Sequence, residues 1–105
     1  MEQLCIVITT TNTIELAQNI ASALIAAQIA ACIQIDKTQS MYMWQGVLEQ
    51  HDEFRLTIKT LDQYYDKICL LIKKMHTYNI PEIIKLRIAD IDSQYLSWIL
   101  ATLEV

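Results

Sequence analysis

Two spacings of apolar residues alternate along the chain, and each predicts its own element. Leu4 to Thr10, LCIVITT, is a β-branched apolar run of the kind a buried strand carries. From Ile14 the period lengthens, and Ile14, Ala17, Ile20, Ala21, Leu24 and Ile25 fall on one side of a helix. Asn12 stands ahead of that helix as a cap, and Glu15, three residues on, completes a capping-box pattern. Ile29 to Asp36 returns to period two, with Ala31, Ile33 and Ile35 alternating against Cys32, Gln34 and Asp36. The aromatic stretch SMYMWQGVLEQ carries the single glycine, Gly46, and predicts a hairpin turn at Gln45-Gly46. Glu53 to Thr60 has the clearest alternation: Phe54, Leu56 and Ile58 face one way, Glu53, Arg55, Thr57 and Lys59 the other. A second helix starts at Asp62 and buries Tyr65, Ile68, Ile72 and Met75, and Pro81, the single proline, prevents it from continuing. Glu82 to Ile88 predicts a fourth strand, with Ile80 and Ile83 anchoring its entry by burial. Asp92 then caps a last helix through Tyr95, Ile99 and Leu103.

The order β-α-β-β-α-β plus a C-terminal helix is the α+β, ferredoxin-like split βαβ arrangement. Residues 1–105 read as one domain, with no repeat, linker or low-complexity stretch. Two helices cover one face of the antiparallel sheet. The other face is expected to carry Cys32, Gln34, Arg55, Thr57, Lys59, Lys85 and Arg87 among apolar residues. Such a face is too mixed for a core and too apolar for open water, so part of it should be buried against other copies of the chain.

Composition points the same way. The chain is 53% hydrophobic with a mean hydropathy of +0.25, high for a small domain. No run approaches the roughly 20 apolar residues of a membrane span, so the excess apolar surface predicts oligomerisation rather than a membrane role. A net charge of −4, with Lys73-Lys74 the only basic cluster, argues against nucleic acid as a partner. Three cysteines without a C-x-x-C pair form neither a disulfide framework nor a zinc signature. MEQLC at the N-terminus lacks the features of a signal peptide, and a reducing, cytoplasmic location is expected. There is no G-x-S-x-G, no H-E-x-x-H and no glycine-rich phosphate loop, and TTTNT before the first helix holds neither Gly nor Arg. An enzyme is not expected.

Five segments in order, AACIQI, YMWQG, EFRLTIKT, HTYNIPEI and YLSWI, resemble the CutA-type divalent-cation tolerance proteins, and the resemblance spans about residues 4 to 103. It implies a ferredoxin-like fold assembled as a homotrimer, sheets inside and helices outside, in a cytoplasmic protein linked to tolerance of copper and other divalent metals. That trimer is similar to the one of nitrogen-regulatory signal proteins, so sensing of a small molecule in the clefts between subunits is the alternative function. Family members usually read His-Pro-Tyr-Glu before Pro-Glu, where this chain has Thr77 and Asn79 at the second and fourth positions. Some bacterial relatives regarded as copper binders carry two adjacent histidines there and a cysteine at the end of the first strand. Those positions are Met75-His76 and Thr9 here, so His76 alone carries over.

The candidate metal residues are therefore His76, Cys32 and Glu53. His76, at a helix C-terminus, either complements the helix dipole or ligates metal. Cys32 is either a small buried residue at the subunit interface or a thiolate ligand. Glu53 either pairs with Lys59 or Arg55 of a neighbouring chain or ligates. Glu82 either binds a cation or accepts backbone hydrogen bonds at the strand start. Met75, Cys5 and Cys69 are expected in the core, Tyr42, Trp44 and Trp98 in packing or interfaces, and His51 exposed near the hairpin. One imidazole leaves an incomplete shell, so Cu2+ or another divalent cation should bind weakly and dissociate below about pH 6, with no other cofactor.

Overall fold

The computed structural model describes residues 3–104. The chain runs β1 (Leu4–Thr11), α1 (Ile14–Ala26), β2 (Cys32–Trp44), β3 (Val47–Leu61), a 3-10 turn (Asp62–Tyr64), α2 (Tyr65–Met75), β4 (Ile84–Arg87) and α3 (Ser93–Thr102). This is the ferredoxin-like α+β order with the added C-terminal helix. The four strands make one antiparallel sheet in the order β2-β3-β1-β4. Cys5 and Val7 of β1 and Leu56 and Ile58 of β3 point to one face, where Ala17, Ile20 and Leu24 of α1 and Ile68 and Ile72 of α2 cover them. Each of these large aliphatic side chains contributes about 1.5–3 kcal/mol by leaving water. On the opposite face Leu4 and Leu61 pair in register and pack with Ile99 and Leu103, which holds α3 over one end of the sheet.

The hairpin differs most from the sequence reading. The alternation ends β2 at Asp36 and begins the next strand at Glu53, but the ladder continues to the pair Trp44 and Val47. Aromatic and β-branched residues favour the extended chain there. Gln45 (φ 50°) and Gly46 (φ 79°) then supply the left-handed pair that a two-residue hairpin turn requires. β1 reaches only as far as Phe54, so residues 38–44 and 47–53 project as a two-stranded arm. The arm makes the chain 45 × 26 × 21 Å, with a radius of gyration of 14.5 Å against about 13 Å for a compact chain of this length.

Four smaller expectations are corrected. Thr13, not Asn12, caps α1, its hydroxyl accepting the Leu16 N–H at 3.1 Å. Ile25 lies at the exposed rim of that helix. Lys85 and Arg87 stand opposite Val7 and Cys5, on the helix-covered side, and both pair with Asp62, Lys85 at 3.3 Å and Arg87 at 2.7 Å. Their place on the open face is taken by Ile84 and Leu86, which stand opposite Ile8 and Ile6 and form an apolar stripe. Ile80 does not anchor by burial: it is 76% exposed, while Ile83 packs against the core. Asp92 does cap α3, accepting from Gln94 and Tyr95 at 3.0 Å each.

Candidate functional site

The loop from His76 to Ile83 joins α2 to β4 and turns beneath the arm. His76 closes α2, its N–H donating to Ile72 at 2.8 Å. Its Nε2 lies 2.7 Å from the Thr10 carbonyl oxygen, and its Nδ1 lies 3.1 Å from the Tyr78 N–H. A carbonyl only accepts and an amide N–H only donates, so the ring is the neutral tautomer protonated at Nε2. Both nitrogens are occupied, Nε2 in tying the loop to the end of β1 and Nδ1 in holding the loop's own turn. The Tyr78 ring packs against the imidazole with centroids 4.7 Å apart, and its hydroxyl donates to Glu53 Oε2 at 2.8 Å. The loop is thus pinned to the sheet by His76 and to the arm by Tyr78.

Between loop and arm lies a cleft of about 690 Å³. The two-residue period of the strands builds its floor: Ser40 and Tyr42 of β2 stand opposite His51 and Glu49 of β3, with Glu53 one step further. Tyr78, Pro81 and Glu82 supply the wall, and Trp44 closes the outer end. His51 Nε2 sits 3.1 Å from Glu49 Oε2. Glu53 is only 6% exposed. Among the described residues three carboxylates line this space (Glu49, Glu53 and Glu82), and none of the lining side chains is lysine or arginine. Burial first, and then the Glu53 carboxylate, hold the Tyr78 hydroxyl well above the usual tyrosine range, so it stays a donor at neutral pH.

The three sequence candidates do not meet within one chain. Cys32 stands opposite Lys59, six residues along β3 from Glu53, a separation of about 20 Å at ~3.3 Å per residue. His76 and Glu53 are joined only through Tyr78. No group of three or more His, Cys, Asp or Glu among the described residues is placed to hold a metal ion. Thr9 is fully buried with its hydroxyl unpartnered. Arg55 pairs with Asp36 of its own chain at 2.7 Å, which leaves Glu53 to Tyr78. Sequence reasoning missed Tyr78, Glu49 and the exposed His51 as neighbours in one cleft. The signal was there in the alternation of Glu49, His51 and Glu53, once the third strand is extended back to Val47.

Cys5 is buried in the core, and burial, then the nearby Asp62 charge, push its thiol up to about 11. No helix among the described residues is long and apolar enough to cross a membrane.

Comparison with known proteins places these features in a family. The family described as CutA1 divalent ion tolerance protein matches residues 5–102. A divalent-cation tolerance protein CutA from Thermus thermophilus is 36% identical over 95 residues, covering 90% of this chain and 92% of that one. The structure of a CutA1 described as stable, from the psychrotrophic bacterium Shewanella sp. SIB1, superposes with a TM-score of 0.90 at 34% identity over 94% of each chain. That of a CutA from Archaeoglobus fulgidus, described as periplasmic, superposes with a TM-score of 0.91 at 29% identity, covering 98% of this chain and 99% of that one. With the family pattern matched from the first strand to the last helix and the fold shared end to end, this chain belongs to the CutA1 divalent-cation tolerance family.

Proposed function

We propose that the chain acts in divalent-cation tolerance as a homotrimer that binds a cation or small ligand weakly in clefts at its subunit boundaries, and that it is not an enzyme. The observation that carries this reading is the acidic cleft beneath the arm, lined among the described residues by three carboxylates and one histidine, with no lysine or arginine. Clefts lined by one sign of charge concentrate counter-ions, whether or not they hold them tightly. Assembly is supported by the arm and by the open stripe of Ile84 and Leu86, both of which offer apolar surface that a neighbouring copy would cover. Copper remains the expected metal, with His76, Cys32 and Glu53 as its candidate ligands. Glu53 already faces the cleft, His76 ligates only by giving up its bond to Thr10 or to Tyr78, and Cys32 joins only from another copy. The alternative, a trimer that senses a small molecule, is favoured by the size of the cleft, which far exceeds a bare ion and falls within the range of small-molecule pockets. A cytoplasmic location belongs to the same reading and is supported by three free thiols. Cell fractionation tests it.

Native mass spectrometry of the purified protein, alone and with Cu(II) or Zn(II), tests the main reading. A trimer that takes up cation at low occupancy, less in Glu53→Gln or His76→Ala, is expected. A stable monomer overturns the assembly. Tight stoichiometric metal shows that ligands from separate copies meet in one site.

A further inference from the structure

The chemistry of the cleft names a class of ligand more narrowly than its size does, provided that the small-ligand reading of that cleft holds. Glu53 is the starting point. It is nine-tenths buried, and a buried carboxylate is costly unless it is paired and hydrogen-bonded. Its Oε2 accepts from the Tyr78 hydroxyl, while no donor among the described residues reaches Oε1. Arg55, the nearest guanidinium along the strand, is held by Asp36 through two bonds, 3.2 Å and 2.7 Å. One oxygen of that carboxylate is therefore left without a protein donor on the side of an open cleft.

The other walls restrict what a donor from outside the chain can be. Glu49 and Glu82 repeat the negative sign and oppose any phosphate or carboxylate ligand, nucleotides included. Tyr42 and Trp44 present aromatic surface, and the face of an indole is the best aromatic partner for an organic cation. A tightly held divalent ion asks for several oxygens at roughly 2–2.6 Å in a compact shell, and the described residues around this cleft of about 690 Å³ form no cluster of three ligands to supply it. We propose that the cleft binds a small organic amine, an ammonium group on an apolar chain, with Glu53 and Glu82 taking the charge and Tyr42 and Trp44 the chain.

Calorimetric titration of the purified full-length protein with spermidine tests this, with ATP as the anionic counterpart. Saturable binding of spermidine and none of ATP is expected. Affinity should fall about tenfold or more in Glu53→Gln, the size of one charge-assisted hydrogen bond, and measurably in Trp44→Ala. Glu82→Gln, at an exposed residue that leaves the core untouched, gives a second reading should Glu53→Gln not fold. Absence of saturable heat overturns the inference, as does equal affinity in all three variants. Should Glu82→Gln loosen the assembly and leave spermidine binding unchanged, a basic side chain of a neighbouring copy fills the cleft and the inference fails. Sedimentation of the same samples keeps the two ideas apart. A trimer without spermidine binding overturns only the amine, and a monomer that binds spermidine overturns only the trimer.

Discussion

The sheet body and the hairpin arm are built from the same two strands, yet they bury their side chains in opposite ways. In the body, Leu56 and Ile58 lie fully covered between β1 and the two helices. Further out along the same ladder, on the same face, Met43 (64% exposed), Met41 (60%) and Leu48 (58%) are open. The difference is not propensity, since both segments are good strand formers. It is the presence of a third layer. The body has β1 beside it and helices above, whereas the arm has only its own two strands, and an isolated two-stranded hairpin is marginal in water. The body carries its own stability, and the arm takes its stability from what it touches.

The largest effect should come from the body. Ile58→Ala removes a fully buried side chain between two helices and should cost about 2–5 kcal/mol in urea unfolding, because the surrounding core cannot collapse onto the cavity. A cost below about 1 kcal/mol would mean that the helices do not pack on the sheet as described. The arm should behave in the reverse way. Met43→Lys with Leu48→Lys places two charges on the apolar side of the hairpin. In a trimer that covers this side they should cost several kcal/mol of assembly while leaving the helical circular dichroism of the subunit nearly unchanged. A trimer of unaltered stability would show that this side of the arm is not an interface.

The same contrast explains what was legible in the sequence. Helices and strands of the body announce themselves because each has one face in and one face out: Phe54, Leu56 and Ile58 against Arg55, Thr57 and Lys59 is readable without any partner. The arm is not readable in this way. SMYMW is apolar on both sides, and a hairpin that projects past β1 and the helices does not alternate against its own chain's core. The capping residue of α1 slipped by one, from Asn12 to Thr13, because two polar residues stand together and only the backbone turn selects between them. Lys85 and Arg87 alternate with Ile84 and Leu86 whether β4 starts at Glu82 or at Ile84, so the pattern alone does not say which set faces out. Which side a short edge strand presents is fixed by its register with β1, and no period within four residues reveals that. Of the site, His76 was visible as a helix end with an imidazole. Tyr78 was not, because its role depends on a loop that returns beneath an arm whose length the alternation concealed.

A smaller effect should appear at the joint between body and arm. Tyr78→Phe deletes the donor to the buried Glu53 and should cost about 1–3 kcal/mol, less than the core cavity and more than a surface change. It should also alter the alkaline limb of the stability curve. The folded state holds both the Tyr78 hydroxyl and the Cys5 thiol in their neutral forms, the thiol pushed to about 11 from 9.0. The unfolded chain loses these protons at lower pH than the folded one. Stability from Cys5 is therefore fully present below about pH 9 and lost as pH rises through 11, with Tyr78 extending the decline above that. Urea midpoints measured at about pH 8, 9.5 and 11 should fall in that order, and the fall should be shallower in Cys5→Ala. A flat profile would mean that neither group is shielded as the fold implies.

The smallest effect belongs at the tip of the arm, and it separates strain in the turn from support by a neighbour. Gly46 sits at φ 79°, and a Cβ added there would meet nothing within 4 Å. The cost of Gly46→Ala is then backbone strain alone, about 1–2 kcal/mol for an L-residue forced into the left-handed region. Where that cost is felt depends on how the arm is held. If the arm is supported only by its own ladder, the turn opens and the subunit core, some thirty ångströms of strand away at ~3.4 Å per residue, melts unchanged. If copies of the chain clasp the arm, the strained turn stays closed and the whole penalty passes to assembly, multiplied by three tips. Thermal melting recorded at two protein concentrations distinguishes these cases. A concentration-dependent drop in Tm identifies the arm as part of the interface, and a concentration-independent Tm equal to that of the unaltered chain identifies it as a free hairpin.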